Sequence, residues 1–156
     1  MRIETIKNYR RLSDRIATSG QPEELEFRAI AEAGFEVVVN LAMPNSENAI
    51  PEEGNIVTAR RMLYVHIPVP FEAPTASHLR SFLGVMDAFA DQKVWVHCVV
   101  NYRASAFLYQ YARLVEGRTH EDALGVMLPT WEPNAVWRAF LALTREDLVA
   151  EQRRSV

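Results

Sequence analysis

Lys93-Val94-Trp95-Val96-His97-Cys98-Val99-Val100-Asn101-Tyr102-Arg103-Ala104-Ser105 runs from a valine-rich apolar stretch into the start of a helical pattern. Residues 93–98 read as a buried strand, because a short apolar run rich in valine and aromatics suits a strand covered on both faces. Residues 105–116 read as a helix: Phe107, Leu108, Tyr111 and Leu114 recur at helical spacing, and Gly117 supplies a stop. Cys98 is thus expected at the carboxyl end of a strand, in a tight turn that feeds a helix.

The same alternation extends in both directions. Thr18-Ser19-Gly20-Gln21-Pro22-Glu23-Glu24 reads as a turn entering a helix, with Pro22 at its first position and acidic residues at its positive end. That helix ends near Ala33; Gly34 can take a left-handed conformation, and residues 35–41 follow as a second buried strand. Residues 44–53, polar and with two prolines, read as a loop, and residues 62–68 as a third strand. Thr75 can cap a helix whose Leu79, Phe82, Leu83, Met86 and Phe89 share one face. Near the C-terminus, Thr119 with Asp122 resembles a capping box, and Asn134 can cap a last helix reaching about residue 150. Alternating strands and helices predict an α/β fold of three layers, a mainly parallel central sheet flanked by helices. In such sheets ligands bind outside the carboxyl ends of the strands, which points to the turn after Cys98.

Composition narrows the function. The 156 residues are 49% hydrophobic and 24% charged, which fits one domain over residues 1–156, without a linker or internal repeat. A single cysteine excludes an internal disulfide framework. Residues 1–11 are mixed and charged, and no run nears the ~18 apolar residues of a spanning helix, so a cytoplasmic protein is expected. Seventeen Lys and Arg against twenty Asp and Glu, with no basic tract, give no footprint for a nucleic-acid or membrane partner. The sequence does not define an oligomeric state.

A turn between strand and helix leaves backbone N–H groups unpaired, and with the helix dipole behind them they attract an anion. A thiol in such a turn is expected to ionise readily, and its thiolate can attack phosphorus or sulfur without a separate base. Asn101 suits a position of positive φ, Arg103 presents a planar fork for phosphate, and Ser105 can donate to the sulfur as it leaves. Taken alone, one cysteine in an apolar strand is more often a small buried residue. Strand, Cys98, turn, Arg103 and helix together favour chemistry. Around them, His97 can tune the hydrogen bonding of Cys98, Ser19 and Gln21 can line a pocket if their turn folds beside the loop, and Tyr102 can set its depth. Trp131 and Trp137 read as packing residues. His66, His78 and His120 are scattered without metal-ligand spacing, so neither a metal nor another cofactor is expected.

His97-Cys98-Val99-Val100-Asn101-Tyr102-Arg103-Ala104-Ser105, with Gly34-Phe35-Glu36-Val37-Val38-Val39-Asn40-Leu41, Tyr64-Val65-His66-Ile67-Pro68-Val69 and Ser19-Gly20-Gln21-Pro22, resembles the cysteine-dependent tyrosine and dual-specificity phosphatases. The resemblance is strongest to their small bacterial branch, which includes proteins called beta-lactamase hydrolase-like. It implies a tyrosine-phosphatase-like fold, a cysteinyl-phosphate intermediate without a metal, and a phosphorylated protein or small phosphate ester as substrate. Cys98 would be the nucleophile, Arg103 the clamp, and the N–H groups of Val99, Val100, Asn101, Tyr102, Arg103 and Ala104 the phosphate cradle.

The chain departs from that pattern in two places. The phosphatases place five residues between cysteine and arginine, whereas four stand between Cys98 and Arg103. In one register Ala104 occupies the arginine position and the clamp is lost; in the other the loop is one residue shorter and Arg103 still points inward. The short loop also resembles rhodanese-like sulfurtransferases, in which Cys98 would carry a persulfide. A non-catalytic, phospho-ligand-binding pseudophosphatase is the third reading. The general acid of the family is an upstream Asp, but residues 70–74 contain no Asp, leaving Glu72 as the candidate.

Overall fold

The computed structural model describes residues 2–154. Its sheet has five strands in the order β1-β2-β5-β3-β4: β1 (Arg10–Arg11), β2 (Ile16–Ser19), β3 (Val37–Asn40), β4 (Leu63–His66) and β5 (Val94–His97). All pairings are parallel except that of β1 with β2. Seven α-helices accompany it among the described residues: α1 (Glu24–Glu32), α2 (Glu53–Ala59), α3 (Ala76–Ala88), α4 (Tyr102–Leu114), α5 (His120–Leu124), α6 (Ala135–Leu141) and α7 (Arg145–Arg154).

Two-residue periodicity explains the layering. Val37, Val39, Val94 and Val96 face one core, shared with Leu79, Phe82 and Met86 of α3, Phe107 and Leu108 of α4, and Trp137 and Phe140 of α6. Ala17, Val38 and Trp95 face the other, with Phe27 and Ile30 of α1 and Val57 of α2. A strand apolar on both faces must be covered on both, so the central strands lie inside three layers. The register aligns Ser19 with His97, His97 with Asn40, and Asn40 with His66, a polar row along the carboxyl edge.

Several sequence expectations need correction. β1 and β2 have no counterpart among the expected elements, and β2 runs into the turn expected from residue 18; β2 has four residues, and its burial comes from β5 rather than from its own pattern. α2 begins inside the expected loop and has no counterpart among the expected helices: it has seven residues, includes Gly54 and lacks a side-chain cap, and its Val57 holds it on the core. Pro22 precedes the N-cap of α1, which is Glu23, in a reciprocal capping box with Glu26. α4 begins at Tyr102, three residues earlier than expected. The last helix is two helices. Buried Gln110 donates to the carbonyls of Phe140 at 2.8 Å and Leu143 at 3.1 Å, and Thr144 with Asp147 forms a fresh cap for α7. The caps at Thr75, Thr119 and Asn134 form, each accepting from the amide three residues on, and Gly34 takes φ +91°. No helix among the described residues is long and apolar enough to cross a membrane.

Candidate active site

Cys98 directly follows β5 and is 1% exposed. The turn after it is held from behind by its carbonyls. That of Cys98 lies 3.1 Å from His97 Nδ1, that of Val99 accepts from the Gln21 amide at 2.9 Å, and that of Val100 accepts from Asn8 Nδ2 at 2.9 Å. In a trans peptide the C=O and the next N–H point in opposite directions. Anchoring three successive carbonyls to the scaffold therefore turns the amides of Val99, Val100 and Asn101 the other way. None of the amides from Val99 to Ala104 donates to another described residue, as expected for a turn entering the first turn of a helix. They line a concavity with the positive end of α4 behind it, an arrangement whose free N–H groups and dipole suit an anion.

Asn101 shapes the turn. Its φ is +71°, its Oδ1 accepts from Thr18 Oγ1 at 2.8 Å, and its Nδ2 donates to the Asn8 carbonyl at 2.8 Å. Gly20 allows the neighbouring strand end to come close: a Cβ there would lie 2.5 Å from the Val99 carbonyl oxygen. Arg103 is 6% exposed; its Nη1 donates to the Val69 carbonyl at 2.8 Å, and its guanidinium lies 5.8 Å from the Phe71 ring centre. Its other N–H groups donate to no described residue.

Val99, Val100, Tyr102 and Arg103 border a cavity of about 520 Å³. Pro70, Phe71 and Glu72 form a second wall, and Met43, Asn45, Ser46 and Glu47 a third. Arg103, not Ala104, faces this space; Ala104 is fully buried. Tyr102 stacks on Trp131, with centroids 4.9 Å apart and planes at 3°. Trp137 is fully buried and donates to the Phe71 carbonyl at 2.9 Å, tying the second wall to α6.

The remaining candidates lie elsewhere. Ser105 is buried one turn into α4, and its hydroxyl donates to the Tyr102 carbonyl at 3.1 Å rather than to sulfur. His97 is fully buried behind the loop, with Nε2 2.6 Å from Glu53 Oε2. Gln21 donates to Glu53 Oε1 at 2.7 Å and borders a separate cavity of about 580 Å³ with Lys7, Glu24 and Ile50. Ser19 Oγ accepts from Trp95 Nε1 at 2.9 Å. Sequence reading missed Asn8, Glu47 and Glu53. Asn8 has φ 52°, a turn signal within a segment read only for its lack of an apolar run. Among the described residues, no three His, Cys, Asp or Glu side chains gather as a metal site.

A parallel sheet whose middle strand delivers cysteine, tight turn, arginine and helix in that order defines a tyrosine- and dual-specificity-phosphatase-like protein. The family described as DSP-PTPase phosphatase fused to NAD+ kinase matches residues 5–151, and the chain belongs to it. The “Beta-lactamase hydrolase-like protein” of Xylella fastidiosa is 30% identical over 114 residues, covering 71% of this chain. The chain spans only 26% of that curated relative's length. A crystal structure from Shewanella putrefaciens described as “Putative phosphatase (DUF442)” shares 33% identity with a TM-score of 0.80 and covers 89% of both chains. Pseudomonas aeruginosa TpbA, solved in complex with phosphotyrosine, has the same fold at 16% identity, with a TM-score of 0.71 over 93% of this chain and 90% of that one.

Proposed function

We propose that the protein hydrolyses phosphate monoesters through Cys98, with aryl phosphates such as phosphotyrosine as its substrates. The observation that carries this is the outward set of loop amides, together with a buried Arg103 on the wall of the same cavity. Four residues between Cys98 and Arg103 suffice here, because Asn101 turns left-handed and the helix begins at once, bringing Arg103 into its first turn. The thiolate of Cys98 attacks phosphorus, the phosphorus–oxygen bond to the alcohol breaks, and Glu72 gives its proton to the departing oxygen. The loop amides and Arg103 stabilise the charge that builds on the phosphoryl oxygens. Water then attacks the thiophosphate, Glu72 takes its proton, and Cys98 leaves as thiolate. Phe71 and Tyr102 provide aromatic faces for an aryl ring. TpbA's bound phosphotyrosine supports an aryl ester as the substrate class. A cytoplasmic setting is part of the proposal, since it would keep a lone thiol reduced.

The test is hydrolysis of a generic aryl phosphate across about pH 5 to 8. Wild type is expected to turn over, Cys98→Ser to be inactive, and Glu72→Gln to lose roughly 10²- to 10⁴-fold on esters with poor leaving groups. If Glu47→Gln, on the opposite wall, shows that loss instead, the acid assignment moves to Glu47. A folded, inactive wild type that still binds inorganic phosphate rejects the enzyme in favour of a phospho-ligand-binding protein. A gain of one sulfur atom on Cys98 from thiosulfate, without hydrolysis, rejects it in favour of sulfur transfer.

A further inference from the structure

Glu53 has no part in the reaction above, yet it is a carboxylate with 2% of its surface exposed. Burying such a group costs several kcal/mol unless it is paired and hydrogen-bonded. It opens α2, on the chain segment that leads away from the cavity wall at Glu47, and meets His97 under the carboxyl edge of the sheet. Burial pushes its carboxyl up, but the charge and hydrogen bond of His97 and the hydrogen bond from Gln21 outweigh this and hold it below the usual carboxylate range. On the other side of the pair, His97 Nδ1 lies 3.1 Å from the Cys98 carbonyl. A carbonyl oxygen and an ionised carboxylate only accept, so this arrangement calls for a donor on each ring nitrogen.

We propose that Glu53 is a positioning residue for the nucleophile. It keeps His97 doubly protonated against the Cys98 peptide, which lets the thiol ionise at lower pH and keeps the Cys98 carbonyl turned away from the cavity. This rests on the reading of Cys98 as nucleophile. A neutral His97 would bring no positive charge to the thiolate, and with one ring proton it could donate to Glu53 or to the Cys98 carbonyl but not to both.

The other groups facing the pair do not substitute for Glu53. Gln21, from the turn before α1, is neutral, and Phe27 of α1 contributes only a ring edge, 6.1 Å from His97. The Tyr64 hydroxyl on β4 is pushed up to about 12 by burial, against a hydrogen bond from Asn40 and reinforced by the charge of Glu53, so it stays neutral. His66 of β4 also acts on Glu53 through its charge, and Arg103 of α4 is the cation of the loop itself. Both remain in a Glu53→Gln protein, so the difference from wild type isolates Glu53.

Cys98 is the only cysteine, so the ultraviolet absorbance of the thiolate, corrected with Cys98→Ser, follows it alone and without substrate. In Glu53→Gln the thiolate is expected to form roughly half to one pH unit later than in wild type, leaving about three- to tenfold less of it at pH values well below either midpoint. Glu53→Asp, which keeps the charge, should recover part of the shift. A folded Glu53→Gln protein that titrates as wild type does overturns the proposal and leaves the pair a packing element. If Glu53→Gln fails to fold, nitrogen NMR of His97 in wild type decides: two ring protons across about pH 6 to 8 uphold it, and one overturns it. No ester is present in either measurement, so the role of Glu53 is tested even in a protein that fails to hydrolyse aryl phosphates.

Discussion

Asn101 shows how one residue can carry both a backbone shape and a set of bonds. Its left-handed φ lets the turn close in four residues, and its side chain ties the turn to Thr18 and Asn8. Asn101→Ala loses both and should cost about 2–4 kcal/mol, combining backbone strain with one buried and one half-buried hydrogen bond. Asn101→Gly relieves the strain and should be about 1–2 kcal/mol less destabilising than alanine. Urea unfolding of the three proteins checks the order, and equal losses would show that the conformation contributes nothing. The preference of asparagine for positive φ was legible in the sequence, because it is intrinsic to the residue. The roles of Asn8, Glu47 and Glu53 were not, since each lies dozens of residues from its partners and looks locally like a polar loop residue.

At the scale of the element, α4 places the turn against the sheet. Phe107 is fully buried, edge-on to Phe82 of α3 at 5.5 Å and 4.5 Å from Phe140 of α6. Phe107→Ala removes a contact shared by three helices and should cost about 3–5 kcal/mol. Calorimetry would read this as a lower Tm, and inorganic phosphate should restore less of it than in wild type if α4 holds the anion site in shape. Elements with strong internal patterns, such as α1, α3, β3 and β5, could be read from the chain. β2 and α2 could not: Ile16-Ala17-Thr18-Ser19 lacks the valine-rich run that marks β3 and β5, the seven residues of α2 are too few for a helical period to show, and tertiary burial stabilises both. The break between α6 and α7 was hidden for a related reason: the groups that hold its carbonyls belong to Gln110, on another helix.

At the scale of the whole molecule, the ionised Glu53 ties the stability of the fold to pH. Its carboxyl lies below the ordinary 4.5 in the folded state, so its contribution is fully present above that value and is lost as pH falls through the lower, folded one. The Tm of wild type should therefore drop more steeply with acid below about pH 4.5 than that of Glu53→Gln, and the gap between the two should narrow. Parallel acid curves would show that the pair does not contribute to acid unfolding. Glu32 and Asp147 are also held low, by Arg28 and Thr144, but both carboxyls are fully exposed and screened.

By itself the sequence determined the class of fold and the position of the turn between Cys98 and Arg103. Both follow from local physics: valine-rich runs demand two covered faces, helical spacing makes one apolar face, and a strand-to-helix turn exposes its amides. Only the tertiary structure decided the strand order, the cavity walls and the inward stance of Arg103. It also decided that His97 meets Glu53 rather than the cavity. These depend on contacts between segments far apart in the chain, and such contacts leave no periodic mark along it.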